Sequence, residues 1–211
     1  MTEKRFGFIA VIGPPNAGKS TLSNALVGQK VAIVTHKAQT TRARLRAVVM
    51  HEQSQVVLVD TPGIFSGVKK LDKAMVQEAW SGAEEADAVL VVLDASRALP
   101  AETELVLAGV KNTSKPVILV LNKVDAVKRE KLLELTQQLN EVANFADTFM
   151  VSALKETGLE ELKSYLAQLV PEGPWHYPED MAADVPSLLL AAEVTREKLF
   201  LRLHQELPYA L

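Results

Sequence analysis

The stretch Gly13-Pro14-Pro15-Asn16-Ala17-Gly18-Lys19-Ser20 decides how the rest of this chain is interpreted. It matches the pattern G-x-x-x-x-G-K-[ST], which is typical of a loop that binds the phosphates of a nucleotide. An apolar run at residues 6–12 precedes the loop and a helical pattern at residues 20–27 follows it, as the motif requires. The alternative is a glycine-containing turn with a chance lysine. In this strand–loop–helix context, we interpret residues 13–20 as a phosphate-binding loop.

The residue types within this loop suit a polyphosphate. Gly13 and Gly18 permit backbone conformations that aim N–H groups inward, and the start of the helix adds the positive end of its dipole. Lys19 would contact the β- and γ-phosphates, and the Ser20 hydroxyl would coordinate Mg²⁺. We therefore predict that the whole loop, together with Thr21 in the following helix, contacts the nucleotide.

Strand and helix patterns alternate along the rest of the chain. Short apolar runs rich in β-branched residues predict strands at residues 6–12, 55–59, 88–93, 117–121 and 145–151. Helical patterns lie at residues 20–27, 71–83, 102–110, 128–142 and 158–169. Continuous apolar strands indicate a sheet that is covered on both faces. The expected fold is a doubly wound α/β P-loop NTPase domain with a mostly parallel sheet, in which residues 42–50 form one antiparallel edge strand.

The composition excludes several classes of protein. The chain has 211 residues, a formal net charge of −3, and 48% hydrophobic and 23% charged residues, which rules out wholesale disorder. It contains no cysteine, so disulfides, thiolate metal sites and cysteine nucleophiles are excluded. It shows neither a signal-peptide pattern nor an apolar run of about 18 residues. We expect a soluble, cytoplasmic protein whose nucleic-acid contacts would be local.

The character of the sequence changes at residue 171. Pro171, Pro174, Pro178 and Pro186 make residues 171–186 unsuitable for a helix or a central strand, so we predict a linker there. Ser187 would then cap a leucine-rich helix that runs to about residue 206. The predicted organisation is a nucleotide-binding domain at residues 1–170, a linker at 171–186 and a C-terminal segment at 187–211.

A second polar motif, Asp60-Thr61-Pro62-Gly63, follows the predicted strand at residues 55–59. Asp60 at the strand end would hold Mg²⁺ through water, and the Gly63 N–H would contact the γ-phosphate. By itself this tetrapeptide is simply a good turn sequence. Because it follows a phosphate-binding loop, we assign all four residues to the nucleotide site.

A third motif, Asn122-Lys123-Val124-Asp125, follows the predicted strand at residues 117–121. The Asp125 carboxylate can accept two hydrogen bonds from guanine, at N1–H and the N2 amine, and adenine offers neither donor there. Asn122 would brace neighbouring loops, and the stem of Lys123 would cover the base. A fourth segment, Ser152-Ala153-Leu154, ends the last strand, where a backbone N–H would donate to guanine O6. The combination predicts a guanine nucleotide as the ligand.

The order and strand-end positions of these four motifs resemble those of translational-type GTPases, which have a Ras-like P-loop fold. More narrowly, residues 37–42 (Lys-Ala-Gln-Thr-Thr-Arg), 60–64 and 192–199 resemble the Era family. The resemblance implies a switch that binds GTP and Mg²⁺ and hydrolyses GTP to GDP during small ribosomal subunit assembly. In that family a GTPase domain precedes a KH domain that binds the 3′ end of 16S rRNA. The resemblance also implies peripheral association with the cytoplasmic face of the inner membrane.

The resemblance assigns further residues. Thr41, in preference to Thr40, would reach Mg²⁺ when the γ-phosphate is present. Lys19, Thr41 and Gly63 then form the predicted catalytic group, and Ser20, Thr41 and Asp60 the predicted Mg²⁺ ligands. Residues 187–211 would be the first part of a KH domain without its sheet and G-x-x-G loop, so we expect weak RNA binding.

Several features leave the mechanism and the function open. Ile64 occupies the position where some GTPases carry a water-orienting glutamine, which predicts slow turnover. Asn16 would either help to bind K⁺, as in related GTPases with this hydrophobic replacement, or act as a turn former. The basic residues Lys37, Arg42, Arg44 and Arg46 form either a solvated edge-strand face or an RNA contact. Two other functions compete: an RNA-binding assembly factor whose nucleotide site is mainly structural, and a P-loop ATPase or kinase.

Overall fold

The computed structural model describes residues 3–32, 45–60 and 83–184, and in the C-terminal segment residues 191–192, 194–195 and 197–198. The last six residues are all helical, which agrees with the helix predicted after Ser187. Most of the predicted helix at residues 71–83 lies outside the described residues, as does the beginning of the predicted edge strand.

A six-stranded sheet forms the centre of the molecule, with the strand order β2-β3-β1-β4-β5-β6. All neighbouring strands are parallel except β2 and β3, which are antiparallel. The strands are β1 (Arg5–Ile12), β2 (Leu45–His51), β3 (Ser54–Asp60), β4 (Ala88–Asp94), β5 (Val117–Asn122) and β6 (Asp147–Met150). The predicted fold class is therefore confirmed, including the single antiparallel edge strand.

Helices cover both faces of the sheet. They are α1 (Lys19–Val27), α2 (Glu102–Asn112), α3 (Arg129–Val142) and α4 (Leu159–Leu169). On one face, α1 and α4 bury leucines such as Leu22 and Leu162 against Ile9 and Leu58. On the other face, α2 and α3 pack against the opposite side chains of β1, β4 and β5. Each fully buried leucine or isoleucine contributes about 1.5–3 kcal/mol, so the two layers fix the strand ends firmly in space.

Residues 171–184, which we call the strap, are packed against the sheet. Four backbone hydrogen bonds of 2.8–3.0 Å join it to β1, to the residue before β1 and to the outer edge of β2: Phe6 N–H to Pro171 O, Gly173 N–H to Lys4 O, Val48 N–H to Ala182 O and Asp184 N–H to Arg46 O. The predicted absence of a helix or central strand agrees with this irregular path. The described part of the predicted linker thus covers the edge that β2 would otherwise expose.

The described part of the C-terminal helix also contacts the α/β domain. Glu197, which is almost fully buried, forms an ion pair with Lys30 in the loop after α1. Among the described residues, no helix has both the length and the apolar character needed to span a membrane.

Candidate nucleotide-binding site

The predicted motifs meet at the carboxyl edge of the sheet. The phosphate-binding loop follows β1, Asp60 ends β3, and Asn122 ends β5. Ser152 and Ala153 come shortly after β6. In an open α/β sheet, ligands bind in the crevice outside the carboxyl ends of the strands. The fold therefore brings together four segments that are separated by up to about 140 residues in the chain.

Two glycines let the phosphate-binding loop lie close to its neighbours. A Cβ atom on Gly13 would clash with the carbonyl oxygen of Val92, and one on Gly18 would clash with the side-chain amide of Asn122. Gly18 also has a φ of 95°, in the region that favours glycine. Asn16 has a φ of 60°, which fits the turn former that is one of its two predicted roles. These positions explain why the motif needs its two glycines.

Lys19 lies inside the loop rather than on the surface. Its Nζ donates hydrogen bonds to Gly13 O at 3.1 Å and to Pro14 O at 3.0 Å. Burial lowers the pKa of Lys19 to about 8, although the charge of Asp60 opposes this shift. Both of these hydrogen-bond acceptors are neutral carbonyls, so the buried ammonium group would gain from an added anion such as a phosphate.

Ser20 and Asp60 form the second part of the site. The Ser20 hydroxyl donates a hydrogen bond of 2.8 Å to Asp60 Oδ2. Asp60 is fully buried, its Oδ1 atom has no hydrogen-bond partner among the described residues, and burial raises the pKa of its carboxyl. An unpartnered buried carboxylate oxygen beside a hydroxyl is a set of hard oxygen donors that suits Mg²⁺. Mg²⁺ needs only one or two carboxylates when phosphate oxygens complete its coordination.

Asn122 joins three of the predicted motifs. Its Nδ2 donates to Ala17 O at 3.0 Å, in the phosphate-binding loop. Its Oδ1 accepts the backbone N–H of Lys123 at 2.8 Å and that of Ala153 at 3.1 Å. Asn122 is buried, so each of these bonds is shielded from water. One side chain thus fixes the relative positions of the phosphate-binding loop and the two loops predicted to recognise the base.

Lys123 makes a second connection to the phosphate-binding loop. Its Nζ donates to Asn16 O at 2.9 Å and to Asp94 Oδ2 at 2.7 Å. Asp94, at the end of β4, belongs to none of the motifs found in the sequence. Its position nevertheless parallels that of Asp60 on β3 and Asn122 on β5. A polar residue at the end of an apolar strand is the sequence pattern that could have identified Asp94 as a candidate site residue.

The residues predicted to recognise the base lie at the same edge of the sheet, some exposed and some buried. Asp125 is exposed, in the short 3₁₀ turn Val124–Ala126. Ser152 is buried, exchanges two backbone hydrogen bonds with Thr157, and its hydroxyl accepts the Lys155 N–H. Leu154 is 76% exposed. An exposed carboxylate next to a rigid, buried turn is an arrangement that can receive a planar base.

The remaining predicted site residues divide into two groups. Pro14, Pro15 and Ala17 form the body of the phosphate-binding loop, and Thr21 lies half-buried in the first turn of α1. Thr40, Thr41, Thr61, Pro62 and Gly63 lie outside the described residues, as do Ile64 and the basic residues Lys37, Arg42 and Arg44. Arg46 is exposed on β2, where it forms a 3.5 Å ion pair with Asp184 of the strap.

Comparison with known proteins is consistent with this geometry. The family model described as 50S ribosome-binding GTPase matches residues 8–123, which is more than half of the chain. GTPase Era of Sinorhizobium medicae (strain WSM419) is 55% identical over 206 residues, covering 98% of this chain and 66% of the relative. GTPase Era of Agrobacterium fabrum (strain C58) is 56% identical, covering 98% of this chain and 65% of the relative. The chain therefore spans slightly less than two thirds of the length of these relatives.

Solved structures of Era share the fold. Era in complex with MgGDPNP and nucleotides 1506–1542 of 16S ribosomal RNA superimposes with a TM-score of 0.86 at 39% identity, covering 93% of this chain and 67% of that one. A variant of Aquifex aeolicus Era bound to GDP and AlF4⁻ gives a TM-score of 0.87 at 38% identity, covering 96% of this chain and 69% of that one. The sequence matches, the fold and the assembled strand-end motifs agree, and the chain belongs to the Era family of GTPases.

Proposed function

We propose that this chain binds GTP and Mg²⁺ and hydrolyses GTP to GDP and phosphate as a slow molecular switch. The observation that carries the proposal is the hydrogen bonding of Asn122, which locks the phosphate-binding loop to the two base-recognition loops. A structural turn with a chance lysine has no need for a buried amide that links its own loop to two others.

The reaction uses water as the nucleophile. Attack on the γ-phosphorus forms a new P–O bond, breaks the bond to the bridging oxygen, and releases GDP and inorganic phosphate. Lys19 supplies positive charge to the phosphate oxygens, while Thr41 and Gly63 are the proposed partners of the γ-phosphate side. Ser20, Thr41 and Asp60 are the proposed Mg²⁺ ligands, and the bound Mg²⁺ would neutralise charge on the phosphates.

Guanine is the proposed base because of Asp125. Its exposed carboxylate can accept both N1–H and the N2 amine, whereas adenine would leave it without a partner. Ser152, Ala153 and Leu154 are the proposed neighbours on the O6 side. This assignment argues against the P-loop ATPase or kinase alternative.

Phosphate release under single-turnover conditions tests hydrolysis. We expect GTP to be converted to GDP slowly, and we expect Asp60→Asn to reduce the rate strongly because it removes the proposed Mg²⁺ partner. Asp180→Asn, a change of an exposed aspartate in the strap, is the matched control. Recovery of bound GTP unchanged after prolonged incubation would instead support an assembly factor with a structural nucleotide site.

We also propose that K⁺ assists the reaction through Asn16. The left-handed backbone of Asn16 fits the turn role, and the resemblance to related GTPases with a hydrophobic residue at the position of Ile64 supports the cation role. We expect faster hydrolysis in K⁺ than in Na⁺ at equal ionic strength. Identical rates in the two salts would restrict Asn16 to the turn.

The proposed partner is 16S rRNA of the small ribosomal subunit, for which we expect only weak binding through residues 187–211. The support is family membership and the solved complex of Era with an rRNA fragment. We place the protein in the cytoplasm, with peripheral attachment to the inner membrane as the family resemblance implies. Filter binding with the 3′-terminal rRNA sequence and with a scrambled sequence tests the RNA partner, and equal binding of both RNAs would contradict it. Co-sedimentation with anionic vesicles tests the attachment.

A further inference from the structure

We propose that Asp94 and Arg97 are positioning residues that hold the crown of the phosphate-binding loop, at Pro15 and Asn16, in its nucleotide-binding conformation. The inference rests on the proposed nucleotide-binding function of the loop. Neither residue belongs to the four sequence motifs. The role of each is inferred from its contacts in the folded chain.

The Asp94 carboxylate contacts two positively charged side chains, those of Lys123 and Arg97. Asp94 Oδ2 accepts hydrogen bonds from Lys123 Nζ at 2.7 Å and lies 3.2 Å from Arg97 Nε. Its other oxygen, Oδ1, accepts the Ser96 N–H at 2.9 Å and the Ser96 hydroxyl at 2.5 Å. Each oxygen of the Asp94 carboxylate therefore has two polar contacts, and Asp94 holds the Lys123 and Arg97 side chains in place.

The two cations each donate to the phosphate-binding loop. Arg97 Nη2 donates to Pro15 O at 3.4 Å, and Lys123 Nζ donates to Asn16 O at 2.9 Å. With the bonds already described, every carbonyl from residue 13 to residue 18 accepts a hydrogen bond from the protein: Gly13 and Pro14 from Lys19, Pro15 from Arg97, Asn16 from Lys123, Ala17 from Asn122 and Gly18 from the Leu22 N–H.

The hydrogen bonds to Pro15 O and Asn16 O also orient the backbone N–H groups that would bind a phosphate. A peptide unit is planar, and its N–H points opposite to its C=O. Fixing Pro15 O and Asn16 O therefore fixes the directions of the N–H groups of Asn16 and Ala17, of which the Ala17 N–H makes a long hydrogen bond of 3.4 Å to Pro14 O. Successive N–H groups with a common direction form the concavity that binds a phosphate.

The two positioning residues differ in environment. The Asp94 side chain is 4% exposed, whereas that of Arg97 is 50% exposed. Burial by itself would raise the pKa of Asp94, but hydrogen bonds from Lys123 and Ser96 outweigh burial and leave that pKa below its usual range. Asp94 therefore stays charged, and its loss should matter more than the loss of the half-exposed guanidinium.

Nucleotide dissociation tests the proposal directly. The variants are Asp94→Asn, Arg97→Met and the double variant, and the probe is GDP carrying a fluorescent methylanthraniloyl group, chased with unlabelled GDP in Mg²⁺. We expect dissociation to be about 10-fold faster for Asp94→Asn, since it weakens bonds to charged groups. We expect about 3-fold for Arg97→Met, since its contacts are half exposed. The double variant should resemble Asp94→Asn, because Arg97 is placed by Asp94.

Asp87→Asn is the matched control, since Asp87 precedes the opposite end of the same strand and its carboxylate accepts the Phe8 N–H at 2.8 Å. We expect this variant to lose stability without faster dissociation. The proposal is overturned if folded Asp94→Asn releases the probe at the wild-type rate, or no faster than Asp87→Asn. If Asp94→Asn does not fold, Arg97→Met decides by the same criterion. Failure of the wild-type chain to bind the probe would contradict the proposed function instead.

Discussion

Two buried amide side chains, Asn122 and Gln55, each hydrogen-bond to the backbone of other segments, but in different regions of the molecule. Asn122 joins three loops at the carboxyl edge of the sheet. Gln55, fully buried on β3, holds the strap: its Oε1 accepts the N–H groups of His176 and Tyr177, and its Nε2 donates to Tyr177 O at 2.9 Å. Each amide satisfies backbone groups that regular secondary structure leaves unpaired.

The two regions differ in the kinds of group that predominate around the amide. At the carboxyl edge, the neighbours are charged or hydroxyl groups such as Lys19, Asp60 and Asp94, whose burial is costly. Along the strap, the neighbours are rings: Phe6 stacks on His176 at 3.9 Å, and Lys4 lies 4.0 Å from the centroid of the Trp175 ring. Burying charged groups at the carboxyl edge costs free energy, and a bound ligand of suitable charge would offset part of that cost. The contacts along the strap instead stabilise the folded chain.

The largest expected effect lies at the carboxyl edge. Lys19→Ala should weaken GDP binding by about a thousandfold, roughly 4 kcal/mol, because it removes the buried ammonium group from the loop. Far-UV circular dichroism should remain that of a folded chain. Calorimetric titration measures the affinity, and Lys111→Ala, which removes an exposed lysine from α2, is the control. Unchanged GDP affinity in Lys19→Ala would place the phosphate site elsewhere.

Asp125→Asn should have the next largest effect. We expect GTP binding to weaken by about 2–4 kcal/mol, because a charged acceptor is replaced by an amide that partly donates. Xanthosine triphosphate should bind better to the variant, since its 2-oxo group accepts from the new amide. Competition titrations of both nucleotides measure the change. Equal GTP affinity in the variant and the wild type would remove Asp125 from base recognition.

Gln55→Ala should lower stability rather than nucleotide affinity. It leaves three backbone groups of the strap without partners, and we expect a loss of about 1–3 kcal/mol in the free energy of unfolding, with GDP affinity of the folded protein unchanged. Urea denaturation measures the loss. Gln53→Ala is the matched control because the Gln53 side chain is exposed and its backbone oxygen still accepts the Trp175 Nε1–H. A large fall in GDP affinity on Gln55→Ala would mean that the two regions are coupled.

The smallest effect concerns pH and Asp94. Its folded pKa lies below the ordinary value, so its stabilisation is present above the unfolded pKa of about 3.9 and is lost as pH falls through the folded pKa. The difference in unfolding free energy between wild type and Asp94→Asn should therefore shrink as pH falls from 5 toward about 2. Urea denaturation at several pH values measures it. The corresponding difference for Gln55→Ala should stay constant, since an amide does not titrate, and a constant difference for Asp94→Asn would contradict the account.

The same contrast explains what the sequence could predict. Strand-end residues such as Asp60 and Asn122 belong to short motifs, and the parallel sheet brings them together once the fold class is known. The strap bonds join residues such as Gln55 and Tyr177 that lie 122 positions apart, and no local pattern encodes such a contact. Strand β6 was predicted at residues 145–151 but spans Asp147–Met150, because it pairs only with Ile118–Leu121 of β5.

Asp94 shows a third case. It ends β4 as Asp60 ends β3, but it belongs to no recognised motif, and its partners Lys123 and Ser96 give it a role only after folding. Arg97 is similar, since an arginine in a loop is ordinarily a solvated side chain. Residues that act through the orientation of a backbone peptide therefore escape prediction from the sequence even beside a well-defined motif.

The central claim is that the carboxyl edge of the sheet forms a site selective for guanine nucleotides. Calorimetric titration of the 211-residue chain with GDP and with ADP, both in Mg²⁺, tests it most directly. We expect GDP to bind at least about 100-fold more tightly than ADP, because adenine leaves the Asp125 carboxylate without its two donors. Equal affinities for the two nucleotides, or tighter binding of ADP, would contradict it.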